Sequence, residues 1–118
     1  MKRLLALLVG AMATQGALAA PQAESAMECG IAADMAVVAR SLAQEAVQRP
    51  QATAIMARIY DVSESTRGRE LMRDILDAAY RQDSAAGGAT TSQKFAEDLF
   101  TACMKTGGNM DTVLGSRL

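Results

Sequence analysis

Two cysteines, Cys29 and Cys103, lie near the two ends of the chain that remains once an apparent export signal is removed. They are too far apart for a C-x-x-C redox motif, and the chain contains no histidine that would help them complete a zinc site. A disulfide between them closes a loop of roughly 75 residues, which stabilises a fold by about 4 to 5 kcal/mol in the chain-entropy model. We therefore predict an intramolecular structural disulfide in an oxidising compartment. An intermolecular bridge and a free reactive thiol are the alternatives.

The first residues have the form of an export signal. Lys2 and Arg3 supply positive charge, and residues 4–13 form an almost uninterrupted apolar run. This run is too short to span a bilayer, which needs roughly 20 apolar residues. The small side chains of Ala17 and Ala19 suit a signal peptidase, so we expect cleavage after Ala19 and a signal peptide at 1–19.

The mature chain, residues 20–118, is expected to be one exported domain in the periplasm or outside the cell. We predict an ordered core at about 26–106 and a loose tail at 109–118. Loss of two basic residues with the signal leaves ten basic and thirteen acidic groups, a formal charge of −3. This negative charge disfavours binding to nucleic acid or to an anionic membrane. Because 24 of the 118 residues are alanine, the core is expected to be thin and the disulfide important.

Apolar spacing predicts an all-α fold, a small bundle of about four helices without a sheet. The predicted helices cover about 26–48, about 50–60, a third segment that ends near Tyr80, and a fourth that begins at Thr91 or Ser92 and ends before Gly107. Pro50 is well placed to begin the second helix, and Ser63 or Ser65 to cap the third. Residues 84–92, with two glycines at their centre, predict a flexible connection.

The first predicted helix has two different apolar faces. One is a stripe of large residues that we expect to be buried: Met27, Ile31, Met35, Val38, Leu42 and Ala46. Cys29 lies off this stripe and, at about 100° per residue, shares a second face with Ala33 and Ala36. Small side chains let another backbone approach closely, so this helix is expected to pack between neighbours.

The other helices each have one predicted inward stripe. The second is expected to bury Ala52, Ile55, Met56, Ile59 and Tyr60, the third Leu71, Met72, Ile75, Leu76, Ala79 and Tyr80, and the fourth Phe95, Leu99 and Cys103. The bridge is therefore expected to pin the last helix against the first.

No arrangement of residues in the sequence points to a reaction. Histidine, the usual base that activates a serine or cysteine nucleophile, is absent, and no serine lies in a Gly-x-Ser-x-Gly elbow. Copper carriers of the thioether type need clustered methionines, whereas here most lie on predicted buried stripes and only Met104 and Met110 look free. We predict no catalytic residues, no metal and no cofactor. A small enzyme or a metal carrier is a remote alternative.

The segment Arg67-Gly68-Arg69 breaks a local rule of helix stability. Positive charge at a helix start opposes the macrodipole, and glycine lowers helix propensity by about 1 kcal/mol. With Arg73 one turn later, Arg67 and Arg69 are candidates for a basic patch that binds an acidic partner. The alternative is a solvated turn before a helix that begins at Glu70, with Arg73 in spaced ion pairs to Glu70 and Asp77.

Several short motifs are shared with known exported proteins. They are Glu28-Cys29-Gly30 before a long alanine-rich helix, Ile59-Tyr60, Ala79-Tyr80, and Phe100 three residues before Cys103. In these the chain resembles small helical proteins that proteobacteria export with one cysteine near each end of the mature chain. The resemblance implies a periplasmic, disulfide-closed helical fold and no particular activity.

At the level of general plan, the chain is also similar to acid-stress periplasmic chaperones of the HdeA type and to periplasmic immunity proteins. It departs from the HdeA type in a longer span between its cysteines and in having only Lys94 and Lys105 after cleavage. We expect a small exported binding protein, similar to an inhibitor, an immunity protein or an adaptor, that acts on an unknown periplasmic protein. The alternative is an acid-stress chaperone, in which protonated carboxylates release ion pairs and expose apolar surface.

Overall fold

A computed structural model describes residues 22–86 and 90–115, without the side chains of 82–86. The described residues contain helices and no strand, which confirms the all-α prediction. The helices are α1 (Ala26–Gln44), α2 (Arg49–Ile59), α3 (Thr66–Ala86), α4 (Ser92–Lys105) and α5 (Asp111–Leu114). The predicted signal peptide and the glycine pair at 87–88 lie outside the described residues.

Helix α1 is the central element, because it contacts α2, α3 and α4. Its small-residue face is the buried one, with Cys29, Ala32, Ala36, Ala39 and Ala43 between 0% and 3% exposed. Such short side chains leave room for the neighbouring helices, and the disulfide holds the Cα atoms of Cys29 and Cys103 5.7 Å apart. The prediction that this helix packs between neighbours is confirmed.

The disulfide joins Cys29 of α1 to Cys103 of α4, as predicted. Both residues are almost fully buried, and the bridge spans 74 positions of sequence. Leu99 and Phe95, one and two turns before Cys103, are equally buried, so the inward stripe of α4 is confirmed. The bridge therefore fixes the last long helix against the small-residue side of the first.

Helix α1 ends at Gln44, four residues before the predicted end. The backbone of Ala46 adopts a left-handed conformation with φ 62°. The N–H of Val47 donates to the carbonyl of Leu42, and that of Ala46 to the carbonyl of Ala43, which together form a Schellman cap. Such a cap usually has glycine at the left-handed position, so the sequence contains no signal for it.

Side chains cap the starts of three helices, α1, α3 and α4. The side chains of Ser25 and Thr91 accept from backbone N–H groups three residues later and cap α1 and α4. Ser65 accepts from the N–H of Gly68 in the same way, so α3 begins at Thr66 and not at Glu70. Helix α3 also continues to Ala86, which places the first part of the predicted flexible connection inside a helix.

The C-terminal segment is packed, so the predicted loose tail is wrong for residues 109–115. Met110 is fully buried and Leu114 is 5% exposed. The Nε2 of Gln22 donates to Asp111 at 2.6 Å, and its Oε1 accepts from the N–H of Met110 at 2.7 Å. These bonds tie the two ends of the described chain together. The sequence did not predict this packing, because the apolar residues of this segment are too sparse to form a helical pattern.

One charged side chain, Arg40, is completely buried on α1. Its Nε donates to the carbonyl of Thr90 at 2.8 Å, and its Nη1 to the carbonyl of Ala79 at 3.3 Å. It thus links α1 to α3 and to the residue that precedes the cap of α4. This role was not predicted from the sequence. The helical wheel contained a signal, because Arg40 falls within about 20° of Cys29, on the side of the helix that is buried.

Candidate binding surface

The three arginines of the predicted basic patch lie on the first two turns of α3, and all are exposed. Arg67 forms an ion pair with Glu28 of α1 and lies 3.7 Å from a carboxylate oxygen of Glu24. Its charge is therefore shared between two carboxylates of the same molecule. Its contact with Glu28 fixes the start of α3 beside the start of α1.

Arg69 is also engaged within the molecule. Its guanidinium donates to the carbonyl of Ser63 and to the hydroxyl of Thr66. Asp77, one of the two carboxylates expected to pair with Arg73, forms an ion pair with Arg49 of α2 at 2.6 Å. The three arginines thus lie on one helix, but two of them, Arg67 and Arg69, make contacts within the molecule. Their role as a patch for an acidic partner stays a prediction.

Gly68 has a structural reason to lie between these arginines. A Cβ atom at this position would come within 3.0 Å of the Val62 side chain and 3.1 Å of the Ser65 hydroxyl. The glycine lets the 61–65 connection fold back tightly against the first turn of α3. Part of the local rule-breaking in this segment is therefore explained by packing.

The large apolar stripe of α1 is buried along only part of its length. Met35 is 2% exposed, and Val38 and Leu42 pack against the core. Met27, in contrast, is 73% exposed and Ile31 is 42% exposed. The prediction that this whole stripe is buried is wrong at its N-terminal end, and also at Ala46, which is exposed beyond the end of the helix.

The length of α2 explains where the burial stops. The connection 45–48 returns the chain alongside α1, and at the other end of α2 the hydroxyl of Tyr60 donates to the carboxylate of Asp34. The stretch of α1 from Asp34 to Gln44 and the whole of α2 are each about 15 Å long. Helix α2 therefore covers the C-terminal part of the stripe and ends at the level of Asp34.

The uncovered part of α1 is called the α1 overhang here and consists of Met27 and Ile31. These residues are one turn apart and share a face with Asp34, because positions i, i+4 and i+7 of a helix lie in one row. The overhang extends for about 10 Å beyond the end of α2. Ile59, the last residue of α2, is 54% exposed and lies at the same level as Asp34. The prediction that Ile55 and Ile59 are buried is wrong, since Ile55 is 37% exposed.

The hydrogen bond between Tyr60 and Asp34 marks the end of this cover. Partial burial, this hydrogen bond and the negative charge of Asp34 together raise the pKa of Tyr60 well above its ordinary value near 10. The phenol therefore stays protonated and donates its proton at every physiological pH. The hydroxyl of Tyr60 is thus the hydrogen-bond partner of Asp34 beside the overhang.

A second exposed apolar area lies on α4 near the disulfide. Phe100 is 40% exposed and Met104 is 49% exposed. Met104 and both cysteines border a shallow cavity of about 210 Å³, together with residues 23–26 and 107–108. The cavity is small, and Glu24 and Ser25 are the polar residues in its lining, so it offers few groups to orient a ligand.

Within the described ranges, no three side chains of His, Cys, Asp or Glu are grouped as a metal ion would require. Met110, which looked free in the sequence, is buried. No described helix has the length and apolar character needed to cross a membrane. The predicted absence of metal, cofactor and catalysis stays a prediction.

Comparisons of this chain with protein-family models, with curated proteins and with solved structures found no match. The resemblance to small exported helical proteins therefore stays a prediction. The exposed apolar side chains of this molecule are the observations that bear on its function.

Proposed function

We propose that this chain is a small exported helical protein that acts by binding another protein, and that the α1 overhang is the centre of its contact surface. The observation that carries the proposal is the exposure of Met27 and Ile31 on a helix that is buried on its other side. Exposed large apolar side chains in a row are typical of protein contact surfaces. The inhibitor, immunity and adaptor roles all use such a surface.

The rigidity of α1 supports this proposal. The disulfide at Cys29 lies between Met27 and Ile31 in sequence and anchors the same turns of α1 to α4. Arg67 holds these turns to α3 through Glu28. A surface that is fixed before binding loses less conformational entropy when a partner docks. The overhang therefore combines apolar area with preorganisation.

Site-specific photo-crosslinking in the producing cell tests the proposal. A photoreactive residue replaces Ile31 in one variant and Met104, in the second apolar area, in a matched variant. We expect one dominant adduct of defined mass from position 31 and little or none from position 104. A diffuse set of adducts from both positions, or no adduct from position 31, contradicts the proposal.

A second candidate function, an acid-stress chaperone, is favoured by one observation. Carboxylates make contacts between different helices: Glu28 with Arg67, Asp34 with Tyr60, and Asp77 with Arg49. Contacts of this kind depend on charged carboxylates and weaken when acid removes that charge. Helix α2 fully buries only Ala52 and Met56, so it is the long helix with the smallest apolar anchor.

Binding of an apolar dye and protection of a client protein, measured from neutral pH to about pH 2, test this second function. A chaperone of this kind gains both activities as the pH falls. A protein that remains compact and inactive at all these pH values excludes it. The crosslinking experiment is done at neutral pH, so the two tests give independent answers.

A further inference from the structure

The α1 overhang has defined borders as well as an apolar surface. Tyr60 and the 61–65 connection lie at the end where α2 stops, and the contact of Arg67 with Glu28 brings the start of α3 to one flank. The overhang is about 10 Å long, which corresponds to about two turns of helix. A short segment that continues the cover given by α2 is therefore the occupant that fits the available length.

The charged groups around the overhang are mostly acidic. Contacts place four carboxylates and one guanidinium beside the overhang: Glu24 and Glu28 lie against Arg67, Asp34 bonds to Tyr60, and Asp61 follows Tyr60 in the chain. Asp34 accepts from the hydroxyl of Tyr60 and Asp61 from the hydroxyl of Ser63, and among the described residues neither carboxylate forms an ion pair. The charge of Arg67 is shared between Glu24 and Glu28. The border therefore has a net negative charge.

This charge selects among the occupants of an apolar surface. A second copy of the chain in a two-fold dimer would place the acidic border against itself, which is repulsive. An anionic membrane surface is repelled for the same reason. A segment with an apolar row and basic side chains on either side of it fits best. Its apolar row would pack on the exposed apolar residues, and its basic side chains would pair with the acidic border.

We infer that the α1 overhang binds a short amphipathic segment of a partner protein, apolar on one face and basic along its margins. This inference rests on the proposed function, because it specifies the partner for the same surface. The apolar row packs on Met27 and Ile31. Its basic margins pair with Asp34 and Asp61, and the affinity accordingly depends on salt.

Two synthetic peptides, each about three helical turns long, test the inference directly. Both have leucines along one face; one has lysines at the flanking positions and the other has glutamates. Binding is measured by fluorescence anisotropy at an ionic strength of about 0.02 M and again at about 0.3 M. We expect the lysine peptide to bind at least about tenfold more tightly at low salt, and the difference to shrink at high salt. Equal affinities overturn the inference.

Variants of the protein separate a specific border from a general effect of net charge. The double substitution Asp34→Asn with Asp61→Asn removes two charges but keeps both hydrogen-bond acceptors, and we expect about fivefold weaker binding of the lysine peptide. The matched control, Glu45→Gln with Glu97→Gln, makes the same change in net charge elsewhere on the surface and is expected to bind within about twofold of the wild type. Equal weakening by both pairs overturns the inference.

If something other than a basic segment occupies the α1 overhang, separate experiments detect it. An Ile31-dependent dimer in sedimentation equilibrium assigns the overhang to a second copy, and Ile31-dependent binding to anionic vesicles assigns it to a membrane; either result overturns the inference. If crosslinking from position 31 captures a partner but the lysine peptide has no advantage, the proposed function stands and this inference fails. If the lysine peptide binds as expected and crosslinking captures no partner, the proposed function fails, and the inference that rests on it fails as well.

Discussion

The two sides of α1 differ in the size of their side chains and in what covers them. The side that includes Cys29 and Ala36 consists mainly of small residues and is buried against neighbouring helices. The opposite side has the large apolar residues, and it is covered only as far as α2 extends. Met35 lies under this cover, and Met27, on the same stripe, lies beyond it.

This difference shows that hydrophobic size and burial are separate properties in a protein of this composition. Small side chains allow backbones to approach closely, so alanines suit the buried side of α1. Large side chains are then available for contacts outside the fold. The uncovered half of the stripe is where we expect this protein to meet its partner.

The largest effect should follow removal of the bond that anchors the small-residue side. We expect Cys29→Ser with Cys103→Ser to lower the free energy of unfolding by about 4 kcal/mol, because the unfolded chain is no longer closed over 74 positions. Urea unfolding of the double variant measures this change. A loss below about 1 kcal/mol would mean that packing alone holds α4 against α1.

Enlarging a small residue on the buried side should have the next largest effect. Ala36 is fully buried, so Ala36→Leu is expected to cost about 3 kcal/mol through overpacking. Ala54, on the exposed side of α2, is the matched control, and the same substitution there is expected to change stability by less than about 0.5 kcal/mol. Thermal unfolding of the two variants compares them. Equal tolerance at both positions would contradict close packing on this side of α1.

The hydrogen bond at the end of the cover should contribute a smaller amount. Tyr60→Phe removes the donor to Asp34 and is expected to cost about 1 kcal/mol at neutral pH. The pKa of Tyr60 is raised in the folded state, so its contribution is complete below about pH 10 and is lost as the pH rises further toward the folded value. The difference between variant and wild type should therefore shrink above about pH 10.

Absorbance titration of the tyrosinate band provides the control for this prediction. The wild type contains two tyrosines, and Tyr60→Phe should remove one that ionises well above the ordinary pKa of a tyrosine. If the variant loses a tyrosine that titrates near pH 10, Tyr60 is not held by Asp34 as described.

The smallest effect on stability is expected on the uncovered side. Met27→Ser should change the free energy of unfolding by less than about 0.5 kcal/mol, because the side chain is 73% exposed. Met35→Ser, on the covered part of the same stripe, should cost about 3 kcal/mol. Urea unfolding compares the two methionines, and a similar cost for both would show that the overhang is part of the core.

The sequence was sufficient for the fold class, the disulfide, and the inward faces of α3 and α4, since each has a regular pattern. It was not sufficient for the end of α1, where an alanine occupies the left-handed cap position that glycine usually takes. Nor did it predict the burial of Met110, which depends on hydrogen bonds from Gln22 at the other end of the chain. Contacts between distant segments leave no local pattern.

The exposure of the α1 overhang could not be predicted from apolar spacing either. The spacing of Met27 and Ile31 correctly identifies one stripe with Met35, but periodicity does not tell which neighbour covers it or where that neighbour ends. That information depends on the length of α2 and on the bond between Tyr60 and Asp34. The candidate surface was therefore visible in the sequence only as part of a supposed core.

Oxidation of individual methionines, followed by mass spectrometry, tests the central claim most directly. In the free protein we expect Met27 and Met104 to react rapidly with peroxide, and the buried Met35, Met56 and Met110 to react slowly. When the crosslinked partner is added, Met27 alone should become protected while Met104 keeps its rate. Slow oxidation of Met27 in the free protein, or protection of Met104 in its place, would contradict the account.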